Sequence, residues 1–177
     1  ACTFGDSLLL LDRYFLTVPA LEKLAALNKN GNTRMEIVTK AKKSCVAFEK
    51  PSPRKAGRGR PPKKGPAVHL KELFLSHKEN FQEAEIGLYS RKKFIRYYCT
   101  DLLWGQGLYQ ELRFVLVEMD GIQSILASTS LELEPLSESR PGDRNAYGSV
   151  LHCHGNPPEH FRQLVGEIIV QPASLSK

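Results

Sequence analysis

The sequence lacks the features that mark several common protein classes. Its longest apolar run is far shorter than the ~20 residues that a membrane-spanning helix needs, so no membrane partner is expected. Its four cysteines are widely spaced and form no CxxC pair, which excludes a disulfide framework and favours a reducing, intracellular compartment. No Walker, GxSxG or GxGxxG motif is present, and nothing indicates a small-molecule substrate.

Acidic residues are almost missing from one segment. Residues 40–64 contain ten lysines and arginines and a single acid, Glu49. The rest of the chain has 15 basic and 18 acidic residues, although the whole chain carries +6 at pH 7. Because the positive charge is concentrated, a polyanionic partner is expected. Residues 50–68, with five prolines, three glycines and no acid, predict an exposed loop.

Residues 57–64 of that loop read GRGRPPKK. The Arg-Gly-Arg-Pro core resembles an AT-hook. Its glycine lets the backbone approach the DNA closely while two arginines enter a narrow A·T minor groove. The lysines that follow can reach phosphates. The alternative is a solvated basic linker that binds DNA weakly or binds nothing. The predicted DNA-binding residues are Lys40, Lys42, Lys43, Arg54, Lys55, Arg58, Arg60, Lys63 and Lys64.

Residues 7–15, SLLLLDRYF, contain the most apolar run of the amino-terminal region. Bounded by Gly5 and Pro19, this run predicts a buried strand, with a buried helix turn as the alternative. Asp12 then lies at the carboxyl-terminal end of the strand, where open α/β sheets place their ligands. A carboxylate there is costly to bury unless it is paired or binds a cation. The competing interpretation is that Asp12 caps the next turn or pairs with Arg13.

The remaining pattern predicts a mixed α/β protein. Pro19 suits the first turn of a helix that ends at Asn30-Gly31, and residues 34–40 and 44–49 predict strands. The order strand, helix, strand is typical of a βαβ unit with a parallel pairing. After a short helix at 69–76, residues 83–130 predict an antiparallel meander of three or four strands, with a hairpin turn at Asp120-Gly121.

Two other groups of residues have a functional and a structural interpretation. Tyr97, Tyr98 and Trp104 stand near basic residues and could stack bases, but aromatic residues in strands more often form core or cross-strand pairs. Residues 152–154, His-Cys-His, together with His160 are metal-ligand types without a partner pair at zinc spacing. An exposed loop with incidental ligands is the favoured interpretation.

Three stretches, in order, resemble bacterial insertion-sequence DDE transposases. GDSLLLLDRYFLTVPALEKL is similar to the segment around the second catalytic aspartate of that family. KAGRGRPPKKGPAVHLKELF is similar to its basic insertion, and IRYYCTDLLWGQGLYQELRFVLVEMDGIQSILASTSLELEP to the β-rich stretch before its third acid. The resemblance covers residues 5–135, an internal portion of the family's catalytic domain.

The resemblance implies an RNase H-like core interrupted by a β-rich insertion. Residues 1–49 would be part of the core, 50–68 the basic loop, 69–135 the insertion returning to the core, and 136–177 an irregular tail. The implied chemistry is DNA cleavage and strand transfer with Mg²⁺ or Mn²⁺ held by carboxylates, in the bacterial cytoplasm at the nucleoid. Asp12 matches the second aspartate and is the expected catalytic and metal-binding residue. Self-association is a further expectation.

The chain also departs from the family. The family's first aspartate belongs to a strand upstream of residue 1, and its Tyr-x-x-Arg-x-x-x-Glu pattern is not found after Pro135. An acid is usual where Ser130 stands, and the tail from residue 136 looks unrelated, as if the reading frame had shifted. We therefore expect this chain alone to cut no DNA and to bind no catalytic metal. The alternative function is a non-catalytic DNA-binding module acting through residues 40–64.

Overall fold

A computed structural model describes residues 7–31, 34–52, 60–88 and 91–131. These residues form a mixed α/β structure that is rich in sheet. The α-helices are α1 (Val18–Asn30) and α2 (Leu73–Ser76), with short 3₁₀ helices at Arg13–Phe15 and Lys78–Asn80. The strands are β1 (Ser7–Leu11), β2 (Met35–Lys40), β3 (Val46–Phe48), β4 (Ala67–His69), β5 (Gln82–Leu88), β6 (Arg91–Trp104), β7 (Gln110–Met119) and β8 (Ile122–Ser128). Neither α-helix of this part is long and apolar enough to cross a membrane.

β1, α1 and β2 form the predicted βαβ unit. Thr17 caps α1, since its side chain accepts a hydrogen bond from the Ala20 N–H at 3.4 Å, and a proline follows in the first turn. β1 and β2 pair in parallel, with Leu11 opposite Thr39. The predicted strand is therefore confirmed and ends immediately before Asp12, and the alternative of a helix turn is wrong. The strand is half-buried rather than buried as predicted.

The strands belong to one eight-stranded sheet. Their order is β1-β2-β8-β7-β6-β3-β4, and β5 also pairs with β6. Apart from β1 with β2, the pairings are antiparallel. β6 has 14 residues; residues 91–97 pair with β5 and residues 96–104 pair with β7. The predicted meander is thus confirmed, with four strands.

The basic loop ends at Pro66, two residues earlier than predicted, because β4 begins at Ala67. Ala67 and Val68 belong to β4, where they pair with Phe48 and Ala47 of β3. Val68 also packs against the core, and this gain from burial and pairing outweighs the loop-like composition of the preceding residues. His69 also belongs to β4 and residues 70–72 form turns, so the predicted helix at 69–76 is reduced to the single turn of α2. Its expected apolar side, which includes Leu73 and Phe74, is buried.

Apolar side chains line both faces of the sheet. On one face, α1 and α2 pack against the strands through Leu21, Leu24, Leu73, Phe74, Leu112, Phe114, Leu116 and Ile125. On the other face lie Ala84, Ile95, Tyr97, Val115, Val117, Met119 and Leu126. Alternate residues of β7 therefore enter different clusters, as the period of a strand requires. The central strands β7 and β8 carry the most buried part of the fold.

The three strand aromatics fill structural positions. Tyr97 is 8% exposed and its hydroxyl donates to Gln82 Oε1 at 2.8 Å. Tyr98 stacks on His77 with ring centroids 5.4 Å apart. Trp104 donates its indole N–H to Cys45 Sγ at 3.1 Å. The core and cross-strand interpretation of these residues is confirmed, and a base-stacking platform on this group is not supported.

Candidate functional site

Asp12 lies at the carboxyl-terminal edge of the parallel β1–β2 pair. Its backbone carbonyl accepts hydrogen bonds from Thr39 Oγ1 at 2.8 Å and from the Phe15 N–H at 2.9 Å. Its exposed carboxylate accepts from the Arg13 N–H at 2.6 Å and so caps the short 3₁₀ helix. The capping interpretation of Asp12 is confirmed. Because capping uses only Oδ1, it does not exclude a ligand at the same carboxylate.

Cations gather at the same edge. Lys40 ends β2, and the register that puts Leu11 opposite Thr39 brings Lys40 beside Asp12. The pKa of Lys40 is lowered, first by burial and then by the nearby charges of Arg13 and Lys43, while Asp12 partly offsets this effect. We call Arg13, Lys40 and Lys43 the edge cations. The sequence indicated Arg13 only as a possible partner of Asp12, not as a DNA-binding residue.

A divalent metal does not fit the residues described at this edge. No group of three or more His, Cys, Asp or Glu side chains is placed to hold a metal in the described ranges. Mg²⁺ prefers several oxygen ligands, and like charges repel it. One carboxylate among the edge cations therefore makes no magnesium site by itself. Binding of Mg²⁺ or Mn²⁺ at Asp12 stays a prediction that needs acids from outside the described residues. His152, Cys153, His154 and His160 also lie outside them.

The two ends of the basic loop lie close together where they join the sheet, and we call this region the neck. The outgoing arm is residues 49–52 and the returning arm is residues 60–66. The Glu49 N–H donates to the Pro66 carbonyl at 3.0 Å, and the Gly65 N–H donates to the Glu49 carbonyl at 2.8 Å. On the outgoing arm, Lys50 Nζ lies 2.6 Å from Glu111 Oε1 of β7, a contact that raises the pKa of Lys50. The two arms are thus fixed to each other and to the sheet at the point where the loop begins.

An aromatic pair holds the returning arm. Lys64 Nζ lies 3.8 Å from the ring centroid of Phe48 and 5.4 Å from that of Tyr109. The two rings meet edge to face with their centroids 5.7 Å apart. Cation–π contacts of this kind favour one position of the ammonium group. Phe48 and Tyr109 are distant in sequence, and no sequence pattern indicated that they would meet Lys64.

The nine predicted DNA-binding residues fall into three groups. The first group, at the end of β2 and in the turn after it, is Lys40, Lys42 and Lys43; the second, on the returning arm, is Arg60, Lys63 and Lys64. The third group, Arg54, Lys55 and Arg58, lies outside the described residues. Arg60 and Lys63 are exposed, while the ammonium of Lys64 is shared with the aromatic pair. DNA binding by all nine stays a prediction.

Gly65 is required by the close approach of the two arms. A Cβ at this position would lie 2.7 Å from the Lys50 carbonyl oxygen and 3.0 Å from the Glu49 carbonyl oxygen. Both are backbone atoms, so the arms must separate to accept it. We expect Gly65→Ala to lower the free energy of unfolding by about 1–3 kcal/mol, measured by urea denaturation. The exposed neighbour Lys63→Ala is the control, with a change within about 0.5 kcal/mol. Equal stability of the two variants would contradict the close packing of the neck.

Comparisons of the chain with protein-family models, with curated proteins and with solved structures found no match.

Proposed function

We propose that this chain binds DNA as an internal part of a DDE-type transposase catalytic domain. The observation that carries the proposal is the place of Asp12, directly after the first strand of a parallel βαβ unit. In the family that the sequence resembles, a catalytic aspartate holds this place. In this proposal residues 1–49 belong to an RNase H-like core, 69–135 to a β-rich insertion, and the protein acts on nucleoid DNA in the bacterial cytoplasm.

A basic loop followed by an antiparallel sheet supports the same proposal. The loop emerges between β3 and β4, and β5 to β8 follow as a meander. Its neck is fixed by hydrogen bonds, by the Lys50–Glu111 ion pair and by the aromatic contact of Lys64. A fixed neck reduces the entropy that the loop loses on binding, which favours its use as a contact element.

A non-catalytic DNA-binding module is the second candidate function. The observation that favours it is the positive environment of Asp12. Two-metal catalysis needs several carboxylates to hold the ions, whereas the described residues place Arg13 and Lys40 near Asp12, with Lys43 near Lys40. Both candidates predict DNA binding. They differ only in whether the chain would cleave DNA if the missing catalytic acids were supplied.

Incubation of the full chain with labelled duplex DNA, in Mg²⁺ and in Mn²⁺, tests the proposal. We expect binding that weakens steeply as the salt concentration rises, because phosphate contacts release counterions. We expect no strand cleavage, and the same result for Asp12→Ala. Cleavage that Asp12→Ala abolishes would show that the chain is active alone. Absence of binding at low salt would overturn the DNA-binding function itself.

A further inference from the structure

Two aromatic side chains lie exposed beside the edge cations. Tyr14 is 65% exposed and Phe15 is 50% exposed. Both belong to the 3₁₀ helix that Asp12 caps, so they stand at the same edge of the sheet. Large aromatic side chains are costly to leave in water, and next to cations they are typical of surfaces on which nucleic-acid bases stack.

We propose that this edge binds a single-stranded nucleic-acid segment, with phosphates on the edge cations and a base stacked on Tyr14 or Phe15. The inference rests on the proposed DNA-binding function and adds a second contact surface to it. This surface is built from the ends of β1 and β2, whereas the basic loop emerges between β3 and β4.

The positions of the edge cations suit a phosphate group. Lys40 is the last residue of β2, and Lys43 lies in the turn that follows it. The guanidinium carbon of Arg13 lies 5.2 Å from the ring centroid of Tyr14, so this cation and the aromatic surface are adjacent. The charges of Arg13 and Lys43 act unfavourably on Lys40, and Asp12 offsets this effect only in part. An anion that binds beside Lys40 relieves the remaining repulsion.

The exposed rings favour a single strand over a duplex. Bases within a duplex already stack on each other, so only an unpaired base can lie on Tyr14 or Phe15. An acidic protein segment could match the charge of the edge cations. A surface that serves such a segment would bind unpaired and paired DNA equally well, and the two affinities can be compared.

The test uses the full chain with Arg58, Arg60, Lys63 and Lys64 replaced by alanine, so that the loop does not mask the second surface. Its probe is a labelled oligothymidylate of about 10 nucleotides, followed by fluorescence anisotropy. In this background the double variant Tyr14→Ala/Phe15→Ala is expected to bind about 10-fold or more weakly. The aromatic exchange Tyr14→Phe/Phe15→Tyr is expected to restore binding.

A matched control removes two other exposed apolar side chains, Leu75 and Phe94, which are 82% and 74% exposed. We expect Leu75→Ala/Phe94→Ala to keep the oligothymidylate affinity. Equal losses in both double variants, or no loss in either, would overturn the inference. If the wild-type chain binds duplex DNA but the loop variant binds no oligothymidylate, only this inference fails. If the wild-type chain binds neither probe, the proposed function fails as well.

Discussion

We expect duplex DNA affinity to fall on the order of 10³-fold at about 0.1 M salt when Arg58, Arg60, Lys63 and Lys64 are all replaced by alanine. The physical reason is counterion release. Each phosphate that a lysine or arginine neutralises contributes about −0.9 to the slope of log K against log salt. Losing four such contacts therefore flattens that slope by up to about 3.6. Fluorescence anisotropy with a labelled duplex at several salt concentrations measures both the affinity and the slope.

A variant with the same loss of charge elsewhere is the control for this experiment. Lys23 and Lys29 on α1, together with Lys71 and Lys78, are all exposed. Replacing these four by alanine removes four positive charges but leaves the loop intact. We expect the control to keep most of the affinity and nearly all of the slope. If both variants lose affinity equally, binding follows net charge and the loop has no special role.

The local elements were predictable because their signals are local. Pro19 after a leucine run fixes the start of α1, and the strand period of residues 34–40 gives β2. Asp120 and Gly121 both have positive φ values, 49° and 76°, which is the backbone that an Asp-Gly hairpin turn needs. These features depend on residues that are close in sequence, so the sequence alone determines them.

The order of the strands was not predictable, because it depends on distant residues. β3 pairs with β6 through Phe48 and Leu103, and β2 pairs with β8 rather than with β3. The same limit applies to the site. The position of Asp12 follows from its strand, but its proximity to Lys40 follows from the parallel register. Local sequence also carried no sign that Phe48 and Tyr109 would hold Lys64.

The largest stability effect is expected at Phe114, which has no exposed surface. It lies on β7, opposite Thr100 of β6 and Ala127 of β8, and its ring packs in the cluster that includes both helices. Phe114→Ala removes these contacts and leaves a cavity, so we expect a loss of about 3–5 kcal/mol in the free energy of unfolding. Urea denaturation followed by circular dichroism measures this loss. The slope of the unfolding free energy against urea concentration stays unchanged if both proteins expose the same surface on unfolding.

Phe94 provides a control with the same chemistry on the adjacent strand. Its side chain is 74% exposed, so Phe94→Ala removes an identical ring without leaving a cavity. We expect a change within about 0.5 kcal/mol. The difference between the two variants isolates burial from the intrinsic preference of phenylalanine for strands. If both variants unfold at the same urea concentration, β7 does not pack in a core. The sheet in which the β1–β2 register places Lys40 beside Asp12 would then lack its central strand.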